Sequence, residues 1–512
     1  MNVFDRRESV PSRIGGGPLP SPPALVGPQL ASAERGRGDA AVPNVFGRSG
    51  SVSEMTSRTA SRLVLASVVV LSALTLVVGQ QTAGASGGDA AGVFLDGAST
   101  EVPPANGTTV IATDSSAVLA DEGDTPRTNS ELVAFDADGS TLYYNDTYNR
   151  YWDVDPSPEG EYTVLYTASM HLSGEECSAT TVCTRNVVER VNLSTDETER
   201  IYSRITPHKH STRWHDVDRV NETHYAVADI HRDRVFVFDA ETGLTTWEWE
   251  AQQEFPLESG GEFPRDWTHI NDVEVLDDGR LMVSLRNQDR VVFLDPQTGL
   301  QENWTLGAED DYETLYEQHN PDYIPEENGG PAVLVADSEN NRVVEYQREG
   351  ESWNRTWTWQ DSRMQWARDA DRLPNGHTLV SDSNGNRVFE VDRNGEIIWQ
   401  VDVAFPYEAE RLETGDESEG GESAASLGLP SRTVDDAGDD ETLSTRAWLA
   451  VRGVVPGSLL NGVVYLTPGW MGPLEAGALL AFALVGTGWA VLELRWSPYR
   501  LELRTPARLR KK

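Results

Sequence analysis

Hydrophobic and polar residues alternate through most of the middle of the chain, in short runs separated by turns that contain glycine. Alternation of this kind predicts β-strands with one buried face. One pattern recurs: a run ends in Asn or Asp, Arg follows, usually with Val after it, and a second run ends near an Asp. The copies are YNRYWDVD from Tyr148, TRNVVERVNL from Thr184, RDRVFVFD from Arg232, QDRVVFLD from Gln288, NNRVVEYQ from Asn340 and GNRVFEVD from Gly385.

The spacing of the copies sets the expected architecture. They recur about every 40 to 55 residues, which is the length of a four-stranded propeller blade. Six copies predict an all-β, six-bladed propeller over residues 130–403, with tryptophans packed between the blades. A sandwich or a solenoid of repeated hairpins is the alternative.

Two apolar segments flank this region. Residues 63–79 (LVLASVVVLSALTLVVG) follow Arg58 and Arg62 and predict a transmembrane signal anchor or a cleaved signal peptide. A second transmembrane helix is expected at 474–492, within a hydrophobic C-terminal anchor at 448–492, and seven basic residues follow in the tail at 493–512. Because cytoplasmic flanks carry excess arginine and lysine, both ends are expected inside the cell membrane and the propeller outside it.

The remaining segments are expected to lack regular structure. Residues 1–62 are rich in Gly, Pro and Arg and are interpreted as a disordered cytoplasmic segment, in which Met55 is a candidate start. Residues 80–129 are interpreted as a linker, and 404–447, rich in Glu, Gly and Ser, as an acidic disordered linker. The apolar stretch Trp448 to Leu466 contains Arg452 and Pro456, and is expected to be interfacial or re-entrant.

The composition narrows the environment and the partners. The chain of 512 residues has a formal net charge of −40 and only three lysines. Such a surface stays hydrated in concentrated salt, which indicates a halophilic organism, and it argues against nucleic-acid binding. N-x-S/T sequons in the middle region are consistent with an extracellular glycoprotein; they lie at Asn106, Asn145, Asn192, Asn221, Asn303 and Asn354.

The only two cysteines are Cys177 and Cys183. Their spacing fits neither a complete zinc site nor a C-x-x-C redox motif. Outside the cell, a small loop-closing disulfide between them is expected, with two free thiols as the alternative.

Three of the nine histidines begin successive repeats. His215, His269 and His319 are separated by 54 and 50 residues, one blade each, and alignment places Arg368 at the corresponding point of the next blade. First strands of propeller blades line the central channel, so these side chains are expected to converge at one mouth. A nucleophilic imidazole acting on a small anion and a three-imidazole metal site both fit this pattern. Arg368 and Arg286 favour the anion, and neither a metal nor a cofactor is predicted.

Three motifs carry a family resemblance. They are D-W-T-H-I-N at 266–271, S-L-R-N-Q at 284–288 and Q-H at 318–319. Here the sequence resembles the PAPS-independent arylsulfate sulfotransferases, whose fold is a six-bladed propeller, over about residues 130–403. The resemblance implies transfer of a sulfuryl group from a phenolic sulfate ester to a phenol through a sulfohistidine.

The resemblance also implies roles for individual residues. His319 would be the nucleophile; His269, Arg286 and Asn271 would donate to the non-bridging sulfate oxygens; and His215 would protonate the leaving phenolate or deprotonate the acceptor. The repeat alignment, rather than a family motif, adds Arg368 as a source of positive charge. Two other hypotheses remain at this point: a metal-dependent propeller hydrolase or lyase, and a non-catalytic extracellular propeller that binds glycans or proteins.

Overall fold

The computed structural model describes residues 50–83, 102–114, 130–178, 180–433, 455–466, 473–497, 499–502 and 508–511. Contacts divide the chain into two units, residues 1–61 and 62–512. The propeller, the candidate site and the C-terminal helices all belong to the second unit.

Six antiparallel sheets form the six blades, and the predicted six-bladed β-propeller is confirmed. Blade 1 contains β1 (Thr109–Thr113), β2 (Leu132–Phe135), β3 (Thr141–Asn145) and the last propeller strand, β25 (Pro406–Arg411). Blade 2 contains β4 (Arg150–Pro156), β5 (Thr163–Ser173), β6 (Val182–Asn192) and β7 (Glu197–Pro207). Blade 3 contains β8 (Trp214–Arg219), β9 (His224–Asp229), β10 (Arg234–Asp239) and β11 (Leu244–Glu250).

The remaining blades follow in chain order. Blade 4 contains β12 (Ile270–Val275), β13 (Leu281–Leu285), β14 (Arg290–Asp295) and two short outer strands, β15 (Gly299–Leu300) and β16 (Leu306–Gly307). Blade 5 contains β17 (His319–Ile324), β18 (Ala332–Asp337), β19 (Arg342–Glu349) and β20 (Ser352–Trp359). Blade 6 contains β21 (Ala367–Arg372), β22 (Thr378–Asp382), β23 (Arg387–Val391) and β24 (Ile397–Val401). The inner strands β4, β8, β12, β17, β21 and β25 contact one another in a closed ring.

Blade 1 closes the ring with strands from the two ends of the propeller sequence. In the antiparallel pair β1–β25, Val110 lies opposite Glu410 and Ala112 opposite Glu408. The propeller therefore extends beyond 130–403, and the interpretation of 80–129 and 404–447 as linkers was wrong where these strands lie. The acidic composition of β25 concealed it, because its carboxylates are buried inside the ring.

The region after β25 is also ordered on the propeller. Ser423 caps a single helical turn, α2 (Ala424–Leu427), and accepts a hydrogen bond from the main-chain N–H of Ser426. Residues 434–447 of the expected acidic linker lie outside the described residues.

In three of the six copies, an ion pair explains the Arg of the sequence pattern. Arg at the start of a third strand pairs with Asp at the end of the second: Arg234–Asp229 at 3.0 Å, Arg342–Asp337 at 2.6 Å and Arg387–Asp382 at 2.8 Å. The pair bridges the turn between the two strands. The copy from Tyr148 is an exception, because its residues form the inner strand β4 of blade 2 and not the third strand of a blade. The third strand of blade 1 is β2.

The hydrophobic core lies between neighbouring blades. Between blades 5 and 6, for example, Ala336 and Trp359 pack in one cluster with Val380 and Phe389. The expected tryptophan packing is present: Trp249, Trp357, Trp359 and Trp399 are buried. In the ranges that the structure describes, buried hydrophobic residues form six clusters around the ring.

Four further elements lie outside the blades. They are α1 (Gly50–Ala83), α3 (Gly457–Leu466), α4 (Pro473–Trp496) and a hairpin of β26 (Tyr499–Glu502) with β27 (Arg508–Lys511). By length and composition alone, Arg58–Val78 in α1 and Gly477–Trp496 in α4 could cross a membrane, close to the predicted 63–79 and 474–492. Residues 50–62, expected to be disordered, are helical, and the expectation for residues 1–49 lies outside the described residues.

Cys177 and Cys183 are joined by a disulfide, with their Cα atoms 5.6 Å apart. The bridge closes the connection between β5 and β6, which are each 11 residues long.

The buried ion pairs generate a stability prediction. Replacing Arg387 with Ala leaves Asp382 and Asp361 without their guanidinium partner, and a broken buried pair costs about 3–5 kcal/mol. Urea unfolding of the purified chain should show this loss in the free energy of unfolding. Arg393→Ala, which removes an exposed arginine of the same blade, should change it by less than about 0.5 kcal/mol. Equal effects of the two changes would contradict the role given to the buried pair.

Candidate active site

Every inner strand begins with an irregularity in its pairing. The register slips by one residue at the start of each strand, and the extra residue is turned out of the ladder. The extra residues are Trp152, His215, Asn271, Asn320, Arg368 and Tyr407. Because all six inner strands start at the same mouth of the channel, these bulges collect polar and aromatic side chains there.

A cavity of about 210 Å³ occupies this mouth. Its lining residues are Arg150, Trp152, Arg213, His215, His269, Arg286, His319, Trp366 and Arg368. The structure therefore brings together five of the six residues predicted for catalysis or substrate binding. His215 and Arg368 occupy equivalent bulge positions, in agreement with the alignment of the sequence repeats. His269 lies two residues before the bulge of its strand and His319 one residue before, so the three histidines are not strictly equivalent.

Hydrogen bonds orient the ring of His319. Its Nδ1 lies 2.8 Å from the Ser338 hydroxyl, which in turn donates to the main-chain carbonyl of Ala367 at 2.6 Å. Since that hydroxyl has one proton and gives it to the carbonyl, its oxygen accepts from Nδ1–H of His319. This assignment leaves Nε2 as the nitrogen that carries the lone pair.

His269 forms a carboxylate–histidine pair. Its Nδ1 lies 2.6 Å from Oδ1 of Asp266, three residues earlier in the D-W-T-H-I-N motif. His269 has a positive φ of 49°, as does Asp266 at 58°, so the loop before β12 is folded tightly to bring the two side chains together. Although burial opposes it, the hydrogen bond with His269 and the charge of Arg286 hold the pKa of Asp266 well below its ordinary value. Nη1 of Arg286 also lies 3.1 Å from Nδ1, but the closer, ionised carboxylate of Asp266 requires a donor, so it accepts from Nδ1–H. Nε2 is then the nitrogen with the lone pair.

His215 stands between two aromatic residues. Its ring stacks on Trp152 with 4.0 Å between centroids, and its Nδ1 lies 2.8 Å from the Tyr407 hydroxyl. Burial raises the pKa of Tyr407, so the phenol keeps its proton and can donate it to Nδ1. Nε2 of His215 would then carry a proton; this atom is buried and has no hydrogen-bond partner within the described part of the chain.

Four arginines surround the histidines. Arg286 pairs with Glu317, while Arg150 and Arg368 share Asp114 at 2.9 Å and 3.3 Å. Asp114 follows β1 in a segment expected to be a linker, so ring closure supplies this carboxylate. The guanidinium of Arg213 lies 4.9 Å from the Trp152 ring centroid.

Sequence reasoning missed Arg150 and Arg213. Each lies two residues before its bulge, in R-Y-W and R-W-H. Both arginines stand two residues before a Trp or His at a blade start, and this common spacing could have identified them from the sequence.

The surroundings keep the imidazoles neutral. Burial lowers the pKa of His319 well below its ordinary 6.5, and Arg368 and Arg286 lower it further. Burial and Arg213 do the same for His215. Burial also lowers the pKa of His269, but Asp266 opposes the shift. The cavity thus presents uncharged imidazoles among permanently charged guanidiniums, which suits an anionic ligand and a nucleophile.

Asn271 does not line this cavity. Its amide donates to the main-chain carbonyl of Gln318 at 3.0 Å and so supports the residue next to His319. Its contact with a sulfate oxygen stays a prediction, and its amide is placed to support the strand that begins at His319.

The metal hypothesis has little support at this mouth. Among the described residues, each cluster with metal-ligand geometry consists of carboxylates alone, and none includes a histidine. Four arginines also oppose the binding of a cation beside the imidazoles.

Residues 236–404 match the family model described as arylsulfotransferase (ASST). This range covers less than half of the chain and contains His269, Arg286, His319 and Arg368, but not His215. An arylsulfotransferase (ASST) domain over this part of the chain, on a six-bladed propeller, agrees with the family resemblance seen in the motifs.

Other comparisons are more distant. No curated protein matches the chain. Similar solved structures include a protein of unknown function from Bacteroides caccae (10% identity, 60% of this chain and 100% of that chain covered, TM-score 0.41). The periplasmic gluconolactonase PpgL of Pseudomonas aeruginosa is similar at 14% identity, with 60% and 99% covered and a TM-score of 0.38. Virginiamycin B lyase of Staphylococcus aureus is similar at 9% identity, with 61% and 88% covered and a TM-score of 0.35.

Helix α3 packs beside the cavity mouth. Asn461 is buried, donates to Glu339 at 2.8 Å and contacts Gln365, and its main-chain carbonyl accepts from Asn384 at 3.3 Å. Glu339 and Gln365 are neighbours in sequence of Ser338 and Trp366, which belong to the site. The segment expected to be interfacial or re-entrant therefore contacts the propeller through this helix.

The arrangement predicts tetrahedral-anion binding. Tungstate at 1 mM should raise the Tm of the purified chain at constant ionic strength, because a ligand that binds only the folded state stabilises it. Arg368→Gln, which removes a guanidinium from the cavity, should abolish most of this increase. Arg363→Gln, an exposed arginine five residues earlier, should leave it unchanged. An equal response in both variants would mean that the anion binds elsewhere.

Proposed function

We propose that the chain is an arylsulfotransferase-like enzyme that moves a sulfuryl group from a phenolic sulfate ester to a phenol through a sulfohistidine at His319. One observation carries the proposal: a buried, neutral imidazole, oriented through Ser338, faces an arginine-lined cavity within the part of the chain that matches the arylsulfotransferase family. A nucleophile for an anionic ester must be uncharged, and the site must neutralise charge on the ester oxygens.

In the first half-reaction, Nε2 of His319 attacks the sulfur. A nitrogen–sulfur bond forms, the bond from sulfur to the phenolic oxygen breaks, and the phenolate leaves with the electron pair. Throughout this step, Nδ1–H of His319 keeps its hydrogen bond to the Ser338 hydroxyl. Arg286 and Arg368 hold the non-bridging oxygens, and such preorganised charge contributes most when water is excluded.

The structure favours His269 over His215 for proton transfer, a revision of the sequence-based assignment. Asp266 accepts from Nδ1–H, which leaves Nε2 of His269 as the acceptor and stabilises the imidazolium once it forms. In the second half-reaction, Nε2 would take the proton of the phenol as its oxygen attacks the sulfohistidine. That proton is then available for a phenolate leaving in the next cycle.

His215 is better suited to donate a hydrogen bond. With the Tyr407 hydroxyl donating to Nδ1, the proton of His215 lies on Nε2, which is buried at the cavity. An N–H there would contact a sulfate oxygen. The residue keeps its place in the site, with a different task from the one first assigned.

The two apolar helices support a membrane-anchored location for this activity. Arg62 in α1 and Glu493 in α4 form a salt bridge at 2.5 Å. The N-terminal end of the first apolar segment therefore lies beside the C-terminal end of the second. This contact agrees with both chain ends on the cytoplasmic side and the propeller outside. Only six residues separate α3, which contacts the propeller, from α4, and this short separation supports an anchor close to the mouth of the cavity.

A covalent intermediate is the first test. The purified chain, incubated in high salt with 4-nitrophenyl sulfate, should gain the mass of one SO₃ group, and the gain should disappear when phenol is added. His319→Ala should show no gain and lose on the order of 10⁴-fold or more in kcat. His224→Ala, outside the cavity, should behave as the unmodified chain. A gain that persists in His319→Ala would place the nucleophile elsewhere.

The pH dependence provides a second test. Protonation of His319 removes the nucleophile, and its pKa lies well below 6.5. The rate of sulfuryl uptake from 4-nitrophenyl sulfate should therefore stay constant from pH 8 down to 6.5 and fall only at lower pH. This donor needs no proton for its leaving group, so the measurement reports the nucleophile. A half-maximal rate at pH 6.5 or above would contradict the environment described for His319.

A further inference from the structure

The channel changes character along its length. Beyond the histidine mouth, each inner strand contributes buried carboxylates; they are Asp153, Asp155, Asp216, Asp218, Asp272, Asp322, Asp369, Asp371, Glu408 and Glu410. The proposed sulfuryl transfer uses none of them. Buried charges of one sign are costly unless something pairs with them.

Hydrogen bonds to neighbouring blades account for one set of these acids. Asp153 accepts from the main-chain N–H of Val217 at 3.0 Å, and Glu408 accepts from that of Val154 at 2.8 Å. Asp216, Asp218 and Asp369 make the same kind of bond, to the blade that follows. These carboxylates therefore tie adjacent blades together.

Asp155 has no such explanation. Its side chain is 5% exposed, and its Oδ2 has no hydrogen-bond partner within the described part of the chain. Arg372 and Arg411 are already paired with Glu345 at 2.9 Å and Glu390 at 3.0 Å. Arg219, next to Asp218 in the sequence, lies 3.9 Å from Glu159.

Three carboxylates, one of them that of Asp155, come close together here. Asp155, Asp218 and Asp416 each offer one oxygen, and these oxygens lie within 4.8 Å of one another. Asp153 and Glu408 form a second such group with Asp155. Oxygens about 2.4 Å from a common calcium ion would have this separation.

An open cavity leads to the cluster from the far end of the channel. It has a volume of about 780 Å³, and its lining includes Asp218, Glu274, Asp416, Glu417 and Glu419. Asp155 and Asp218 are the penultimate residues of β4 and β8, whereas the histidine cavity lies at the starts of the inner strands. A cation can therefore enter without passing the proposed active site.

We propose that Asp155, Asp218 and Asp416 bind a calcium ion at the channel end opposite the histidines, with Asp153 and Glu408 completing its oxygen shell. Calcium accepts six to eight oxygen ligands in flexible geometry, which suits carboxylates from several strands and a loop. Magnesium requires near-ideal octahedral geometry and retains water, which suits this crowded wall less well. Because Asp416 follows β25, the ion would also tie the closing strand to blades 2 and 3.

The alternative is that the acids share protons. Burial raises the pKa of Asp155, and the neighbouring charges of Asp153 and Asp416 raise it further, so uncharged carboxyls could fill the same space. The two states differ in whether the chain retains calcium, and that difference can be measured directly.

Calcium retention and thermal stability together test the proposal. The full-length chain in detergent and high KCl is dialysed against EDTA, re-equilibrated with CaCl₂ or MgCl₂, and assayed for bound metal and Tm. We expect at least one calcium per chain, an increase of several degrees in Tm, and a smaller response to magnesium. No retained calcium and no change in Tm would overturn the proposal in favour of shared protons.

Variants locate the ion. Asp416→Asn, a half-buried loop position whose change is compatible with folding, should weaken calcium binding at least about tenfold, as should Asp155→Asn. Glu410→Gln is the matched control, because Glu410 is a buried channel acid with an unpartnered oxygen outside this cluster. Equal calcium affinity in Asp416→Asn and the unmodified chain would overturn the proposed site. The result is independent of sulfuryl transfer.

Discussion

The closure of the ring by β1 and β25 is the constraint on which the rest of the structure depends. Six twisted sheets leave two open edges unless a strand from the end of the propeller sequence completes the first blade. Once β25 lies inside blade 1, the six inner strands surround a single axis and begin at the same mouth. The same closure brings Asp114 to Arg150 and Arg368, and Tyr407 to His215. The candidate site is thus a consequence of how the ring is completed.

The register slip at the start of each inner strand gives that mouth its chemistry. A bulge leaves one side chain outside the ladder, so it is free to carry a function instead of pairing. In this chain the slips present His215, Arg368 and Trp152 to one small cavity. Burial and the neighbouring guanidiniums both lower the pKa of His215 and His319, because both disfavour the imidazolium form.

Charge is separated along the axis, with arginines at one mouth and carboxylates beyond it. Many of those carboxylates accept main-chain N–H groups of the following blade, so the acidity of the inner strands is partly structural. This explains why a count of acidic residues cannot be read as surface charge alone. The strand β25 shows the consequence: its Glu408 and Glu410 suggested a solvated linker, yet both are buried.

The sequence by itself determined the repeat, the number of blades and most of the site. The buried Arg–Asp pair between second and third strands recurs as a visible motif, and one-blade spacing of His215, His269, His319 and Arg368 was enough to predict their convergence. Only the tertiary structure decided the ends of the propeller, since β1 and β25 are separated by almost 300 residues and neither carries the motif. It also supplied the contacts from which the tasks proposed within the site are argued. Which nitrogen of each imidazole carries the proton depends on Asp266, Ser338 and Tyr407, and two of these three come from strands or loops distant in sequence, beyond the reach of any local pattern.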